Sequence, residues 1–268
     1  MALPALSDSG KGGKNLTESR QWLEMGDSLF HSGLYNDAIR AYGRAIELNS
    51  RETGAYTSRG IAYGKLGNNQ QALSDFDRAI ELNPKDAVAY SNRGNVYWRF
   101  DDYRHAIKDY DRAIELNPTL AEAYANRGAA YGKLAAFQAA LRDFDRAIEL
   151  NPKHAVAYNN RGIVYGILGR LENAVKDYDR AIALDLHYEE AYYNRGNAYW
   201  RLGAYQNAIK DYDRAIALDP DDARAYNNRG MAYGRLGNLQ QEIVDLKTGA
   251  RLGSRDAQDY LTSRGISW

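Results

Sequence analysis

Apolar residues along this chain recur with the spacing of two helices, and the whole pattern returns 34 residues later. Within Ala87–Leu120, Tyr90, Gly94 and Tyr97 share one stripe. Tyr103, Ala106, Ile107, Tyr110, Ala113 and Ile114 then follow at i, i+3, i+4 and i+7. Such spacing marks the apolar face of an amphipathic helix. The segment therefore predicts a first helix, a tight turn and a second helix. Sliding the sequence on itself by one period superposes Tyr56, Tyr90, Tyr124, Tyr158, Tyr192 and Tyr226, and likewise the glycines from Gly26 to Gly230. Seven units result, at 19–52, 53–86, 87–120, 121–154, 155–188, 189–222 and 223–256. A fixed period of this size implies stacked units, each touching mainly its neighbours, and not a globule with one central core.

Punctuation supports the same division. Pro84, Pro118, Pro152 and Pro220 close four units, since proline cannot continue a helix. Ser50, Leu186 and Ser254 replace it elsewhere, so those junctions are expected to be less sharply defined. The turn inside each unit usually carries glycine (Gly33, Gly67, Gly169, Gly203, Gly237), where left-handed backbone costs little. Asp101 tolerates that conformation, whereas Ala135 is strained by about 1 kcal/mol if it adopts it. Residues 1–18 are expected to form a flexible tail, with Thr17 as the N-cap of the first helix. The last unit drifts, with Glu242 and Gly249 in place of alanines. Residues 257–268 predict a short capping helix whose apolar side is Ala257, Tyr260 and Leu261.

Tyr90, Gly94, Tyr97, Ala106, Tyr110, Ala113 and Pro118 stand at the spacings of the tetratricopeptide (TPR) repeat, and the chain resembles that family over residues 19–256. The resemblance implies an all-α fold, a right-handed superhelical solenoid of stacked antiparallel helix pairs, with a concave groove lined by first helices. It also implies a non-enzymatic adaptor that binds segments of other proteins. One departure stands out. Where the family usually has leucine, this chain has Arg59, Arg93, Arg127, Arg161, Arg195 and Arg229.

A semi-buried arginine needs a partner. The six units with the arginine also carry Asp75, Asp109, Asp143, Asp177, Asp211 or Asp245 on the second helix, while the first unit has Met25 and Ala41. An Arg–Asp bridge within each unit is therefore expected. The neighbouring column (Asp77, Asp111, Asp145, Asp179, Asp213) tracks less closely, because the seventh unit has Lys247 there.

Three further columns are the candidate binding residues. Asn92, Asn126, Asn160, Asn194 and Asn228 follow one another in five successive units. Asparagine is a mediocre helix former, and its amide matches the paired N–H and C=O of an extended peptide. By resemblance this column faces the groove and grips ligand main chain; bonding to the adjacent unit is the open alternative. Lys65, Arg99, Lys133, Arg201 and Arg235 form a basic column. Trp98 and Trp200 precede two of these, accompanied by Asn95 and Asn197, a composition found at interface hot spots. The expected partner is a protein or peptide segment of acidic character, with self-association through the ends, or by a tail docking in a groove, as the alternative. The column Leu23, Thr57, Ser91, Ala125, Asn159, Tyr193, Asn227 has no lysine, so the family's lysine-based clamp for chaperone tails is not expected.

Charge and composition narrow the classes. Lys plus Arg and Asp plus Glu number 35 each, which argues against counterion-driven nucleic-acid binding. With no cysteine, thiolate metal sites, disulfides and cysteine catalysis are excluded. The four histidines lack ligand-spaced partners, and Gly10–Lys14 lacks the hydroxyl and context of a phosphate loop. No metal, cofactor or catalytic residue is expected. No stretch has the length of a signal h-region or membrane span, so a cytoplasmic location without membrane insertion is expected.

Overall fold

The computed structural model describes the backbone of residues 9–268 and the side chains from Asn15 onward. Every regular element among these residues is a helix. They form two compact bodies, one ending at Ala135 and the other running Ala136–Trp268. The first contains α1 (Ser9–His31), α2 (Tyr35–Leu48), α3 (Thr53–Lys65), α4 (Asn69–Leu82), α5 (Ala87–Arg99), α6 (Tyr103–Leu116) and α7 (Ala121–Lys133). The second contains α8 (Phe137–Leu150), α9 (Ala155–Ile167), α10 (Leu171–Leu184), α11 (Glu189–Arg201), α12 (Tyr205–Leu218), α13 (Ala223–Arg235), α14 (Leu239–Arg251) and α15 (Arg255–Ser263). Within each body, consecutive helices pack as neighbours in tandem pairs. Part of the tail expected over 1–18 lies outside the described residues. From Ser9 the backbone is helical, so Thr17 stands inside α1 and does not cap it.

Close approach within a pair rests on small residues facing an aromatic ring. Ala106 and Ala113 are fully buried on α6, and the Tyr110 ring between them is almost as deep. That ring lies against Gly94 of α5: a Cβ built there would meet Tyr110 Cε1 at 2.8 Å and the Ala106 carbonyl at 3.2 Å. Phe76 over Gly60, Tyr178 over Gly162 and Tyr212 over Gly196 repeat the arrangement. The intra-unit turns are left-handed as expected, including the non-glycine positions Asp101 (φ 58°) and Ala135 (φ 56°).

The junctions between units correct one expectation. Those at Ser50 and Leu186 are as well formed as those with proline. The residue after the second helix, Asn49, Asn83, Asn117, Asn151, Asp185 or Asp219, turns its side-chain oxygen onto the backbone N–H two positions later. An Asn or Asp side chain reaching forward two residues makes a turn by itself, so proline is dispensable. At the C-terminal end, α15 buries Ala257 and Leu261 against Leu246 and Ala250 of α14. Its remaining positions are largely polar and exposed. The drift at Glu242 follows from this cap: the carboxylate is buried and accepts the Tyr260 hydroxyl at 2.6 Å.

Candidate functional site

The arginine column is internal. Arg59–Asp75 and Arg93–Asp109 in the first body, and Arg161–Asp177, Arg195–Asp211 and Arg229–Asp245 in the second, are bidentate at 2.6–2.8 Å. Each guanidinium also packs on the preceding tyrosine, as Arg93 does on Tyr90 at 5.5 Å. The bonds to Asp109 raise the Arg93 pKa still further above its ordinary value. The second aspartate column is paired too, one unit out of step. Arg93 reaches back to Asp77, Arg127 to Asp111, Arg161 to Asp145, Arg195 to Asp179 and Arg229 to Asp213. Lys247 stands in this column where the position sixteen residues later is Ser263 and not arginine. Comparing columns unit by unit hides this match; comparing each unit with the next exposes it.

The asparagines divide. Asn126 donates its amide to Asn95 Oδ1 (2.9 Å), Asn194 to Asn159 Oδ1 (3.1 Å) and Asn228 to Asn197 Oδ1 (2.9 Å). In these three the N–H is engaged by the preceding unit. Asn92 bonds instead to Val88 O in its own helix (2.9 Å), and Asn160 Oδ1 accepts from Asn159 at 3.5 Å. Asn95 and Asn197 are each doubly used, since Oδ1 also accepts Tyr110 Oη or Tyr212 Oη at 2.8 Å.

The basic column likewise links units. Arg99 Nη1 donates to Gly64 O and Arg201 Nη1 to Gly166 O, both at 2.6 Å, satisfying carbonyls at a helix C-terminus. Where the earlier residue is Trp200 and not glycine, the next arginine stacks instead: the Arg235 guanidinium lies 5.6 Å from the indole ring. Trp98 and Trp200 each meet a second-helix tyrosine edge-on, Tyr103 and Tyr205, at 6.2 Å. Lys65 and Lys133 are exposed at the ends of α3 and α7.

Two hollows gather these residues. In the first body Lys65, Asn92, Asn95 and Arg99 border a small one of about 120 Å³ over Phe76. In the second body a larger cleft of about 370 Å³ is lined by Asn197, Trp200, Arg201, Tyr212, Asn228 and Met231. Four of those six are sequence candidates. Tyr212 was assigned to the packing stripe, and Met231 was missed although it stands one period after Asn197. The polar groups of this cleft are unevenly used. Asn197 Oδ1 accepts from two donors and Asn228 Oδ1 from Asn227 at 3.0 Å. Trp200 Nε1–H is buried and unpartnered. The remaining hydrogen-bonding capacity is therefore mostly donor, from Trp200, Arg201 and the stacked Arg235.

Sequence reading also missed Glu189, which opens α11 where other units have alanine, threonine or serine. Burial, followed by the nearby Asp222 carboxylate, pushes its pKa up to about 7, with Arg224 opposing. The folded protein thus holds this proton to higher pH than the unfolded chain, where glutamate titrates near 4.5. The associated stability is full below the unfolded value and is lost as pH rises through about 7. After allowance for solvent screening, the loss is expected to be about 1 kcal/mol. Denaturant titrations at about pH 5 and pH 8 check this, since Glu189→Gln should remove that part of the pH dependence.

Among the described residues no helix is long and apolar enough to cross a membrane, and no cluster of His, Cys, Asp or Glu is placed to hold a metal ion. No curated protein matches the sequence. Among solved structures, the chain is similar to one from the APC/C hetero-tetramer Cut9–Hcn1 (TM-score 0.76, 19% identity), covering 89% of its own length but only 47% of that chain. It is also similar to YrrB, a TPR protein with an unusual peptide-binding site (TM-score 0.56, 27% identity; 69% of this chain, 95% of that one). PilF of Pseudomonas aeruginosa aligns with TM-score 0.71 at 18% identity, over 80% of this chain and all of its own. A tetratricopeptide repeat model matches residues 54–86, 87–120, 121–154 and 189–222, half of the sequence. Related repeat models match 26–67 and 167–203, and 144–176 and 211–243. The period seen in the sequence and the helix pairs seen in the fold are thus one repeat, and the chain belongs to the tetratricopeptide repeat family.

Proposed function

We propose that the protein is a non-catalytic adaptor whose first-helix faces hold an extended, acidic segment of a partner protein. The observation that carries this reading is the cleft at Trp200. It pairs apolar walls, Trp200 and Met231, with the unpartnered Trp200 Nε1–H and the Arg201 guanidinium. An apolar side chain beside a carboxylate satisfies both features. Tryptophan and arginine are residue types that dominate interface energetics. Tetratricopeptide repeats generally serve as protein-interaction scaffolds, and YrrB, similar in fold at 27% identity, is a peptide-binding member. The candidate set comprises Asn92, Asn95, Trp98, Lys65, Arg99, Asn126 and Lys133 in the first body. In the second it comprises Asn160, Asn194, Asn197, Trp200, Arg201, Asn228 and Arg235. Amides already bonded to a neighbouring unit leave less for a ligand than five free ones, so the expected affinity is about micromolar.

Selection from a random peptide display library tests the reading. Enrichment of Asp or Glu next to a large apolar residue is expected, with affinity falling as salt rises. Trp200→Ala should weaken the selected peptides by roughly 30-fold while leaving helicity unchanged. Enriched sequences without acidic residues, or equal binding by Trp200→Ala, would refute it.

A further inference from the structure

Units three and six share a sequence that their neighbours lack. Gly94–Arg99 reads GNVYWR and Gly196–Arg201 reads GNAYWR, three whole periods apart. The adjoining units have Gly64, Gly132, Gly166 and Gly234 in the tryptophan column. The surroundings repeat with the sequence. In the first body Tyr110 Oη and Asn126 Nδ2 both donate to Asn95 Oδ1, at 2.8 and 2.9 Å. In the second, Tyr212 Oη and Asn228 Nδ2 donate to Asn197 Oδ1 at the same two distances. Stacking of units does not require this frame. Between α3 and α5, Asn92 bonds inside its own helix and Ile61 stands where the receiving asparagine would be. What the two frames share is an adjoining tryptophan, fixed edge-on against Tyr103 or Tyr205 and followed by an arginine. One position differs. Met231 walls the cleft at Trp200, one turn after Asn228, whereas Ala129 follows Asn126 at the same spacing and shares its face. The covering cation differs as well. Arg235 stacks on Trp200 at 5.6 Å, but Lys133, its counterpart in the first body, has no planar group to stack, and Trp98 is 36% exposed.

On the basis of the peptide-binding reading, we propose that the protein holds two acidic segments, one at Trp200 and a second at Trp98, and that residues 231 and 129 set which apolar side chain each site accepts. At Trp200 the methionine fills part of the space beside the indole, and an aliphatic side chain such as leucine completes it. At Trp98 the alanine leaves that space open, so a flat aromatic side chain is needed to cover the indole and exclude water. A leucine there leaves contacts unmade. Charge suits the same class of ligand at both sites, since Arg99 and Lys133 end their helices as Arg201 and Arg235 do. The Trp200 site is the more enclosed. Peptides chosen for affinity alone therefore report on it, and the Trp98 site emerges when each indole is observed separately.

The test follows the indole N–H signals of the chain's 4 tryptophans by nuclear magnetic resonance on the isotopically labelled full chain, each signal assigned with a Trp→Phe variant. Two capped peptides are titrated, Ser-Asp-Leu-Glu-Ser and Ser-Asp-Phe-Glu-Ser. The leucine peptide should move Trp200 at concentrations about tenfold lower than Trp98, and the phenylalanine peptide should do the reverse. Trp22 and Trp268, outside both sites, should stay unmoved. Ala129→Met, a change at a half-buried helix position, should turn the preference of the first site to leucine, and Met231→Ala should turn that of the second to phenylalanine. Movement of Trp200 alone would overturn the second site and leave the peptide-binding reading standing, while movement of neither would overturn both. Equal response of the two indoles to both peptides, or preferences unchanged in both variants, would overturn the assignment of selectivity to residues 129 and 231.

Discussion

Asp109→Ala is expected to lower stability by about 3 kcal/mol, a large effect for a substitution far from either terminus. The carboxylate is 8% exposed and binds both Arg93 Nε and Nη2. Removing it leaves a guanidinium, itself only 20% exposed, held by Asp77 alone. The cost comes chiefly from stranding that charge, because breaking one side of a buried pair is worse than removing both. Arg93→Leu combined with Asp109→Ala should therefore recover most of the loss, leucine being the usual residue of the family in this column. Denaturant unfolding of the two single variants and the double variant checks the coupling. Additive effects would show that the pair is not acting as a unit.

The second large effect is expected at a glycine. Gly94→Ala should destabilise by about 2 kcal/mol even though alanine is the better helix former. Its Cβ would meet both an aromatic ring and a backbone carbonyl at 3.2 Å or less, and Tyr110 is 1% exposed, with no room to withdraw. Only separation of α5 from α6 relieves the clash. Gly64→Ala is the control, because a Cβ there meets nothing nearer than Arg99 Nη1 at 3.8 Å. It should be neutral or stabilising by up to about 1 kcal/mol. Thermal melts of the two variants should move in different directions or by clearly different amounts.

Helix boundaries, intra-unit turns and the Arg–Asp bridge were legible in the sequence because each is a local spacing repeated many times. What escaped was anything defined between units. The forward-reaching side chains of Asn49 and Asp185 do the work attributed to proline, which stands one position after the corresponding Asn83, Asn117, Asn151 and Asp219. Asp77 and its copies pair across a unit boundary, so their rule shows only when columns are offset by one. The asparagine column was visible, but its amide direction was not. Asn126 and Asn228 turn toward the preceding unit because Asn95 and Asn197 stand there to receive them. For the cleft, four lining residues could be named from composition. Met231 could not, since methionine has no recurrent column to mark it.

The out-of-step pairing bears on how long such a protein can be. Each internal unit presents an aspartate forward and an arginine backward, like the two halves of a coupling. Excising 87–120 would bring Arg127 of α7 opposite Asp77 of α4, and inserting another copy would join to both sides equally well. The ionic seam stays closed at either length. Gain or loss of whole 34-residue units is thus electrostatically silent within the array. Shifts of a few residues would orphan an arginine at the break. Both tips lie outside the scheme: Gly43 and Lys247 fill the aspartate column in the outermost units, and Met25 the arginine column of the first. Growth is therefore open in the interior and closed at the termini.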